Sequence, residues 1–527
     1  MKVRSSKSRS ESELGNIHNS SAMLRKIPLI KLNHITVVAI AAIISACSTP
    51  SGLSDKSSFN IIEQNSPNQW QANKSEKTIE NLVADGWLKS LNDNALEAMV
   101  AYALENNYQL AAERIGVKLA KEKLTVSAAS DFPELSLSLD NSRRKQISND
   151  VKSYQTSADI SVDLSYELDL WGKLSDQQNQ DRLNYAAAQA NFHQSKLTLV
   201  ANISKAWFDL TQAQQLLNLY QERASNLQRN LLMIQSSYQL GLNSALDVYL
   251  TKNDVNQELA RVASQQQILQ VSSRALELLL GDYPLAKKMS SQSLPLIHDE
   301  IDLGLPAQLL TRRADIQAGW LQLLALDAGL AVAHKQRFPS FNLNASASDS
   351  ASDLSKLLDG GSLAWSLLGS ISSPLFNAGR LESLEQQAKL TVAQQEQQYL
   401  QQVYQAFADV ENSISARDSL NQRHAYYLKA QENALAAEKL SFDQYLKGLV
   451  TYTTVLESQR RSFDAQTTVI ELTNALLQNR IEIYRVLGGD YLNTESQKPA
   501  TKQAPQKIKS EDGSLPVLLT NRTSLEK

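Results

Sequence analysis

The sequence predicts a mixed but mainly α-helical membrane protein that is internally duplicated and contributes strands to a transmembrane β-barrel. Three observations lead to this fold class: a long-period repeat, long segments without helix breakers, and segments in which apolar and polar residues alternate strictly. The 527-residue chain has a net charge of −3. This balance gives no electrostatic reason to expect a nucleic-acid partner.

The N-terminal segment is similar to a bacterial lipoprotein signal. Basic residues precede the apolar run 35–44, which is too short to span a bilayer as a mature helix. A small residue, Ala46, then precedes Cys47, which is the only cysteine of the chain. The resemblance implies cleavage before Cys47, a covalent lipid on its thiol, and delivery to the outer membrane because Ser48 follows. Translation starts at Met1 or at Met23.

The repeat has a nearly constant offset of 206 or 207 residues. Phe132-Pro133 returns as Phe338-Pro339, and three glycines return 207 positions later, as Gly172 and Gly379, Gly241 and Gly448, Gly281 and Gly488. Identical spacings survive only where the lengths of the intervening elements matter. The repeat sets the predicted organisation: signal peptide 1–46, lipid-anchored linker 47–84, first repeat 85–284, linker 285–302, second repeat 303–491 and polar tail 492–527.

Each copy contains a long segment without breakers. No proline occurs from 134 to 283 or from 375 to 498, and Gly241 and Gly448 are the only interruptions between the flanking glycines. Residues 173–240 alone would form a helix of roughly 100 Å. We therefore expect, in each copy, a long helix, a break at glycine and a returning helix of about forty residues. An ordinary elongated coiled coil is the alternative.

A different pattern precedes each long helix. Apolar residues alternate with small or acidic ones, which predicts strands with one apolar and one wet face, over 134–140, 158–170, 341–348 and 363–372. A half-buried soluble sheet would show the same pattern. The lipoprotein signal and the small polar side chains favour a membrane barrel with a water-filled lumen.

Four strands cannot close a transmembrane barrel, and an open sheet edge in lipid would leave backbone groups unsatisfied. Several chains must therefore share the barrel, and three chains with twelve strands are the natural number. The acids on the polar face would give this lumen a preference for cations; they are Asp159, Asp163, Glu167 and Asp169.

Three motifs carry a family resemblance. Residues 166–173 read Tyr-Glu-Leu-Asp-Leu-Trp-Gly-Lys, residues 304–315 contain Gly-Leu-Pro and Arg-Arg-Ala-Asp, and residues 374–380 read Pro-Leu-Phe-Asn-Ala-Gly-Arg. Together they resemble the NodT-type efflux lipoproteins of the TolC-like outer-membrane factor family, over about residues 85–491. Ala314 departs from the proline usual in this family, which questions the local turn geometry.

The resemblance implies a homotrimer with a β-barrel in the outer membrane, continued by a long α-helical barrel across the periplasm. It also implies partners, namely a periplasmic adaptor protein and an inner-membrane efflux pump, that dock where the helices break at Gly241 and Gly448. In the family, acids just past these turns line a constriction. Asp247 stands at this position in the first copy, Thr454 replaces the acid in the second, and Glu457 follows three residues later. Solvated surface acids are the alternative for either residue.

The resulting expectation is a passive exit duct that expels small molecules such as drugs and is not an enzyme. No nucleophile motif, phosphate loop or metal-ligand spacing is present in the sequence, and we expect no cofactor or metal apart from the lipid on Cys47. The alternatives are an exit duct for protein secretion and a non-conducting coiled-coil lipoprotein or adaptor that bridges the layers of the envelope.

Overall fold

A computed structural model gives the architecture of the chain. The described residues are Leu53, Pro67, 69–72 and 85–492, without 149, 243, 291–292, 298–300, 358 and 360–361. The predicted signal peptide, Cys47, most of the predicted linker 47–84 and the tail beyond Leu492 lie outside the described residues.

Helices dominate the described part of the chain, as predicted. They are α1 (Asn94–Asn106), α2 (Tyr108–Ala129), α3 (Lys173–Gln239), α4 (Ala245–Leu280), α5 (Leu309–Arg312), α6 (Ala314–Lys335), α7 (Arg380–Leu446) and α8 (Tyr452–Val486). The two longest, α3 and α7, have 67 residues each and begin after a glycine with positive φ, Gly172 or Gly379. At 1.5 Å per residue each is about 100 Å long.

Four strands form one antiparallel sheet in the order β1-β2-β3-β4: β1 (Glu134–Ser148), β2 (Val151–Leu168), β3 (Ser340–Ala351) and β4 (Ala364–Ser372). The sequence predicted all four segments. β1 and the start of β2 extend further than predicted, because Arg143, Lys145 and Lys152 interrupt the apolar alternation without interrupting the backbone pairing. β2 ends two residues before the predicted limit.

In the first copy, the shorter helices α2 and α4 meet end to end beside the long helix α3. Both pack against α3. The end of α4 meets the α1–α2 break so closely that a Cβ on Gly281 would lie 2.3 Å from the carbonyl oxygen of Asn106. The side chain of Asn107 closes the junction: its Oδ1 accepts a hydrogen bond from the N–H of Leu110, and its Nδ2 donates one to the carbonyl of Leu279, both at 2.8 Å.

The second copy repeats this junction with other side chains. A Cβ on Gly488 would lie 2.9 Å from the carbonyl carbon of Arg312. The helix break falls at Arg313, whose φ of −73° and ψ of 116° nearly equal the −69° and 122° of Asn107. The turn therefore forms with Ala314 in place of proline.

The two copies interlock through their long helices. α3 packs against α6 and α8 of the second copy, so the two helical hairpins lie side by side. Among the described residues, α6 is the one helix that is long and apolar enough to cross a membrane. It packs between α3 and α7 and contributes buried residues such as Ile316, Leu323 and Leu330 to the main core, so it is a core helix.

Candidate functional site

The sheet has two chemically distinct faces that run through all four strands. The pairing register places Leu137 beside Val162, Val162 beside Ala347, and Ala347 beside Trp365. This row is apolar, and so is the next row towards the helices, with Leu135, Leu164, Ala345 and Leu367; the row on its other side has Leu139 and Ile160 but also the buried Asp349 of β3. Because successive side chains of a strand point to opposite faces, the polar residues that alternate with these apolar ones lie on the other face.

The apolar face is open to the surroundings of the chain. Leu137 is 70% exposed and Trp365 is 79% exposed, and Leu135, Leu139, Leu367 and Ile371 are also exposed. Monomeric soluble proteins rarely expose a continuous apolar surface of this extent. The face therefore matches the lipid-facing side of a membrane sheet.

The polar face is lined by small hydroxyl side chains. Ser138 and Ser161 are hydrogen-bonded across β1 and β2 at 2.7 Å, as are Ser346 and Ser366 across β3 and β4. Asp163 accepts a hydrogen bond from Ser161 Oγ at 2.6 Å. Asp159 lies on the same face, directly opposite Asp140 on β1. Two of the four predicted lumen acids thus lie together on this face.

The other two predicted lumen acids have local partners at the end of β2. The Glu167 carboxylate forms an ion pair with Lys173 at 2.6 Å. Asp169 lies beyond the strand and caps α3, where it accepts hydrogen bonds from the N–H groups of Leu174 and Ser175 at 3.0 and 2.8 Å. Burial raises the pKa of Asp169, but these bonds and one from the Ser175 hydroxyl outweigh it and hold the pKa low. The alternation at this residue comes from helix capping and not from the strand.

The outer strands of the sheet, β1 and β4, each pair with one neighbour only. The sheet of one chain, as far as it is described, is therefore open at both edges. Such edges are incompatible with lipid unless another strand pairs with them.

An aromatic group marks the junction of the sheet with the helices. The indole N–H of Trp171 donates to the carbonyl of Pro339 at 2.6 Å, and its ring lies 5.5 Å from that of Phe338 and 6.2 Å from that of Phe341. This contact joins the first copy to the second at the base of the sheet. Trp171 is recognisable in the sequence as part of the motif at 166–173, but this contact with the second copy is not.

The two helical breaks have the same local geometry. Gly241 and Gly448 adopt φ of +73° and +70°, a region that favours glycine, and no atom lies within 4 Å of a Cβ built on either. In each turn the glycine N–H donates to the carbonyl of the tyrosine three residues earlier, Tyr238 or Tyr445, at 2.9 and 2.8 Å. The turns are thus exposed ends of the two hairpins.

A small apolar cluster joins the hairpins just behind these turns. It contains Ile234, Val248, Tyr452 and Val455, from helices of both copies. Beyond the cluster the turns expose large apolar side chains, namely Leu240, Leu242, Leu246, Tyr249, Leu446 and Leu449. The helical ends therefore have a packed base and an apolar surface.

The predicted gate residues lie in the first turns of the returning helices. Asp247 is half-buried in the first turn of α4, which Ser244 caps. Thr454 is exposed in the first turn of α8, with its hydroxyl 3.3 Å from that of Thr451. Both positions are thus close to the helical ends, and only the first carries a charge.

Glu457 has two cationic partners on its own helix. Its carboxylate contacts the guanidinium groups of Arg460 at 2.9 Å and Arg461 at 2.7 Å. Hydrogen bonds from Arg461 and then Arg460 lower the pKa of Glu457. Asp464 also contacts Arg460, at 3.4 Å, so two arginines and two carboxylates form one exposed cluster and the carboxylate of Glu457 is already paired.

A buried charge pair that the sequence analysis missed lies between α3 and α4. Arg223 Nε lies 3.1 Å from the carboxylate of Glu258, whose side chain is 2% exposed. Burial raises the pKa of Glu258 in spite of the arginine, and burial also lowers the pKa of Arg223. The pair lines a cavity of about 260 Å³ that also touches Thr453 and Glu457 of α8. Only the long-range packing of α3, α4 and α8 creates this site.

The comparisons with known proteins agree with this architecture. The family model "Outer membrane efflux protein" matches residues 100–282 and 305–489, which are the two copies of the repeat. The probable outer membrane lipoprotein SilC of Salmonella typhimurium is 28% identical over 435 residues, covering 81% of this chain and 93% of SilC. The cation efflux system protein CusC of Escherichia coli O157:H7 is 29% identical over 420 residues, covering 77% of this chain and 88% of CusC.

Solved structures show the same fold. A structure of CusC, described in terms of folding and transmembrane channel formation, has a TM-score of 0.71 at 25% identity and covers 80% of this chain and 96% of its own. The CmeC outer membrane channel of Campylobacter jejuni has a TM-score of 0.76 at 21% identity, with 80% and 92% covered. The matched family, which spans both copies of the repeat, identifies this chain as a member of the outer membrane efflux protein family.

Proposed function

We propose that the protein is the outer-membrane duct of a tripartite efflux system, a passive trimeric channel through which small molecules leave the cell. The observation that carries this proposal is the sheet, which exposes one apolar face and has two unpaired edges. Such a sheet satisfies its backbone in lipid only when copies from several chains close into a barrel. Three chains give twelve strands, a number within the range of known membrane barrels.

The polar face of the sheet would then line the lumen. Hydroxyl side chains, together with Asp159 and Asp163, suit a water-filled passage with a preference for cations. Glu167 and Asp169 would contribute less, because Lys173 and the start of α3 already hold their carboxylates.

The helical ends would be the docking and gating region. Their exposed apolar side chains provide a surface for a periplasmic adaptor and, with it, an inner-membrane pump. Asp247 is the stronger gate candidate, since Glu457 is paired with Arg460 and Arg461 and Thr454 is uncharged. Opening would be a shift of the helical ends between two arrangements that the partner proteins favour differently.

The cargo would be selected mainly by the pump. Relatives include a cation efflux system protein and a toluene efflux pump outer membrane protein of Pseudomonas putida, so one scaffold serves chemically different cargoes. Export of small molecules, drugs among them, fits this breadth. The role of Cys47 in this proposal is to carry the lipid anchor, and no cofactor is required.

Conductance in a planar bilayer tests the proposal. Purified full-length protein should give small cation-selective steps, and Asp247→Ala should enlarge them because a charge at the constriction is removed. Glu457→Ala should have a smaller effect, because Arg460 and Arg461 already pair with the carboxylate that it removes. Glu432→Ala, which removes an exposed acid more than four helical turns before Gly448, is the matched control and should leave the steps unchanged.

Two results would contradict the proposal in different ways. Equal steps from all four proteins would keep the channel and exclude the gate residues. Silence from every protein, including the Asp247→Ala variant, would exclude the duct and favour a non-conducting lipoprotein.

A further inference from the structure

The hairpin of β1 and β2 extends beyond the rest of the sheet and carries an unexplained cluster of cations. β3 pairs with β2 only as far as Ala158, so residues 142–148 pair with 151–157 without a further strand on the β3 side. The connection between β1 and β2 lies at the end of the sheet that is remote from α3, because β2 leads from it towards that helix. In the proposed orientation, this end faces the outside of the cell.

The height of the apolar band can be estimated from β2. Outward-facing residues are apolar or aromatic from Leu168 to Ala158, which is ten residues of strand or about 34 Å. At the 45° tilt of membrane strands this corresponds to roughly 24 Å, close to the apolar band of about 25 Å in outer-membrane barrels. The next outward positions, Thr156 and Tyr154, therefore lie at the level of the lipid headgroups.

At this level the outward face becomes basic. The register places Lys145 directly opposite Tyr154 and Lys152 opposite Ile147, and Arg143 lies one row below. The Arg143 guanidinium lies 5.2 Å and the Lys145 ammonium 6.0 Å from the centre of the Tyr154 ring. One aromatic ring thus positions two cations on the same side of the sheet.

These cations have no anionic partner among the residues that the structure describes. Arg143, Lys145 and Lys152 are exposed, and none of the ion pairs between described side chains includes them. The acids nearest in sequence are Asp140, which belongs to the polar face, and Asp150 in the connection. Cations at the level of the headgroups attract the negative charges of the lipid, and phosphate is a group that arginine and lysine bind well.

We propose that Arg143, Lys145 and Lys152 form an outward-facing site for the phosphate groups of lipids in the outer leaflet of the outer membrane. The site rests on the proposed function, because it requires the sheet to be part of a membrane barrel. Tyr154 is a positioning residue that holds two of the cations over the headgroups. The site would fix the height of each barrel segment in the membrane.

Arg144 provides a matched control. It is adjacent to two members of the cluster and carries the same charge, but its register position opposite Gln155 places it on the polar face. Total charge and strand length are therefore the same in Arg143→Ala and Arg144→Ala, and only the face differs.

Retention of lipopolysaccharide by the purified full-length protein, measured as bound phosphate after detergent exchange, tests the site. Arg143→Ala, Lys145→Ala and Lys152→Ala should each lower retention roughly fivefold, as expected for one cation near an anionic surface. Arg144→Ala should retain wild-type amounts. Tyr154→Leu should weaken retention, and Tyr154→Phe, which keeps the ring, should restore it.

Three outcomes separate this inference from the proposed function. Equal losses for the Arg143 and Arg144 variants would overturn the site, since charge alone would then explain retention. Displacement of the lipid by inorganic phosphate at similar concentration would also overturn it, because the site would then bind the free ion. Conductance of the same samples decides the proposed function: conducting variants with unchanged retention refute only the lipid site, whereas a protein that never conducts refutes the duct.

Discussion

In the first copy of the repeat an asparagine holds the break between two helices, whereas in the second copy an arginine holds the matching break. Asn107 caps α2 and donates to the end of α4, while Arg313 forms an ion pair with Asp315 at 2.6 Å. The backbone at both breaks is nearly the same. The comparison shows that the packing of the helix ends determines the backbone conformation at the break. Different side chains are compatible with this conformation.

The buried charges differ between the copies in the same way. Arg223 and Glu258 pair between α3 and α4, but alanines, Ala430 and Ala465, stand 207 positions later. The second copy thus builds its hairpin without this charge pair. The first copy has kept a polar contact inside the wall of the bundle, beside the cavity that reaches α8.

Substitution of the buried pair should give the largest effect. Arg223→Ala leaves the buried Glu258 carboxylate with only Arg261, at 3.8 Å, and should lower the free energy of unfolding by about 3 kcal/mol. The double variant Arg223→Ala/Glu258→Ala copies the second repeat and should recover part of this loss. Denaturant titration followed by circular dichroism measures both.

The single variant Glu258→Ala completes the comparison. If the double variant lost as much free energy of unfolding as the two single variants together, the two side chains would not be coupled. Arg460→Ala offers the control. Its pairs with Glu457 and Asp464 are exposed and screened by solvent, so this variant should unfold at nearly the wild-type denaturant concentration.

The glycines at the junctions should give the next largest effect. Gly281→Ala combines a positive φ with a clash against Asn106, and the two together should cost about 3 kcal/mol. Gly241→Ala has the same type of φ but open space around it, and should cost about 1 kcal/mol. The same titration compares them, and similar losses would mean that close packing at the junction does not matter.

An ion pair that joins the copies should make stability depend on pH. Glu482 of α8 binds Lys205 of α3 at 2.6 Å and also contacts Arg485, and position 275 of the first copy is alanine. Burial raises the pKa of Glu482, but hydrogen bonds from Arg485 and Lys205 outweigh it and lower the pKa to about 2. Since the folded pKa lies below the unfolded one, the stabilisation is present above about pH 4.5 and is lost as the pH falls towards 2.

The loss over this window should be about 2 kcal/mol. Glu482→Gln should flatten the pH dependence in the same window, while Glu432→Gln, which changes an exposed acid, should not. An unchanged slope in the Glu482 variant would show that the pair does not link the two copies.

The sequence was sufficient for the elements whose signal is local. Breaker-free segments predicted α3 and α7, the repeated glycines predicted both turns, and alternation predicted the four strands. α2 and α6 were not predicted as separate helices, because their packing beside α3 and α7 depends on contacts with residues far along the chain. The strand at Asp169 was misassigned because a helix cap places a polar residue where alternation also expects one.

Site residues were predictable to a smaller extent. Position after a repeated turn is a local property, and it singled out Asp247, Thr454 and Glu457. The partners of Glu457 were visible as Arg460 and Arg461 on the next helical turn, but the Arg223–Glu258 pair was not, because it forms only where two helices meet. The face on which the cations of β1 lie could be predicted from the sequence, because the period of two, continued beyond Asp140, places Arg143 and Lys145 on the apolar face.

The central claim is that the open sheet of one chain closes with those of two others, and cysteine cross-linking tests it most directly. The chain has one cysteine, Cys47, outside the sheet, so engineered pairs can be interpreted without native disulfides. Ser138→Cys on β1 would be combined in turn with Ser366→Cys and Ser370→Cys on β4, the other edge of the same polar face. Oxidised membranes would then be separated on a denaturing gel.

Closure of three sheets predicts a covalent species three chains long in at least one pairing and none from Ser138→Cys alone. Cross-links that stop at two chains, or form only within one chain, would contradict a shared twelve-strand barrel.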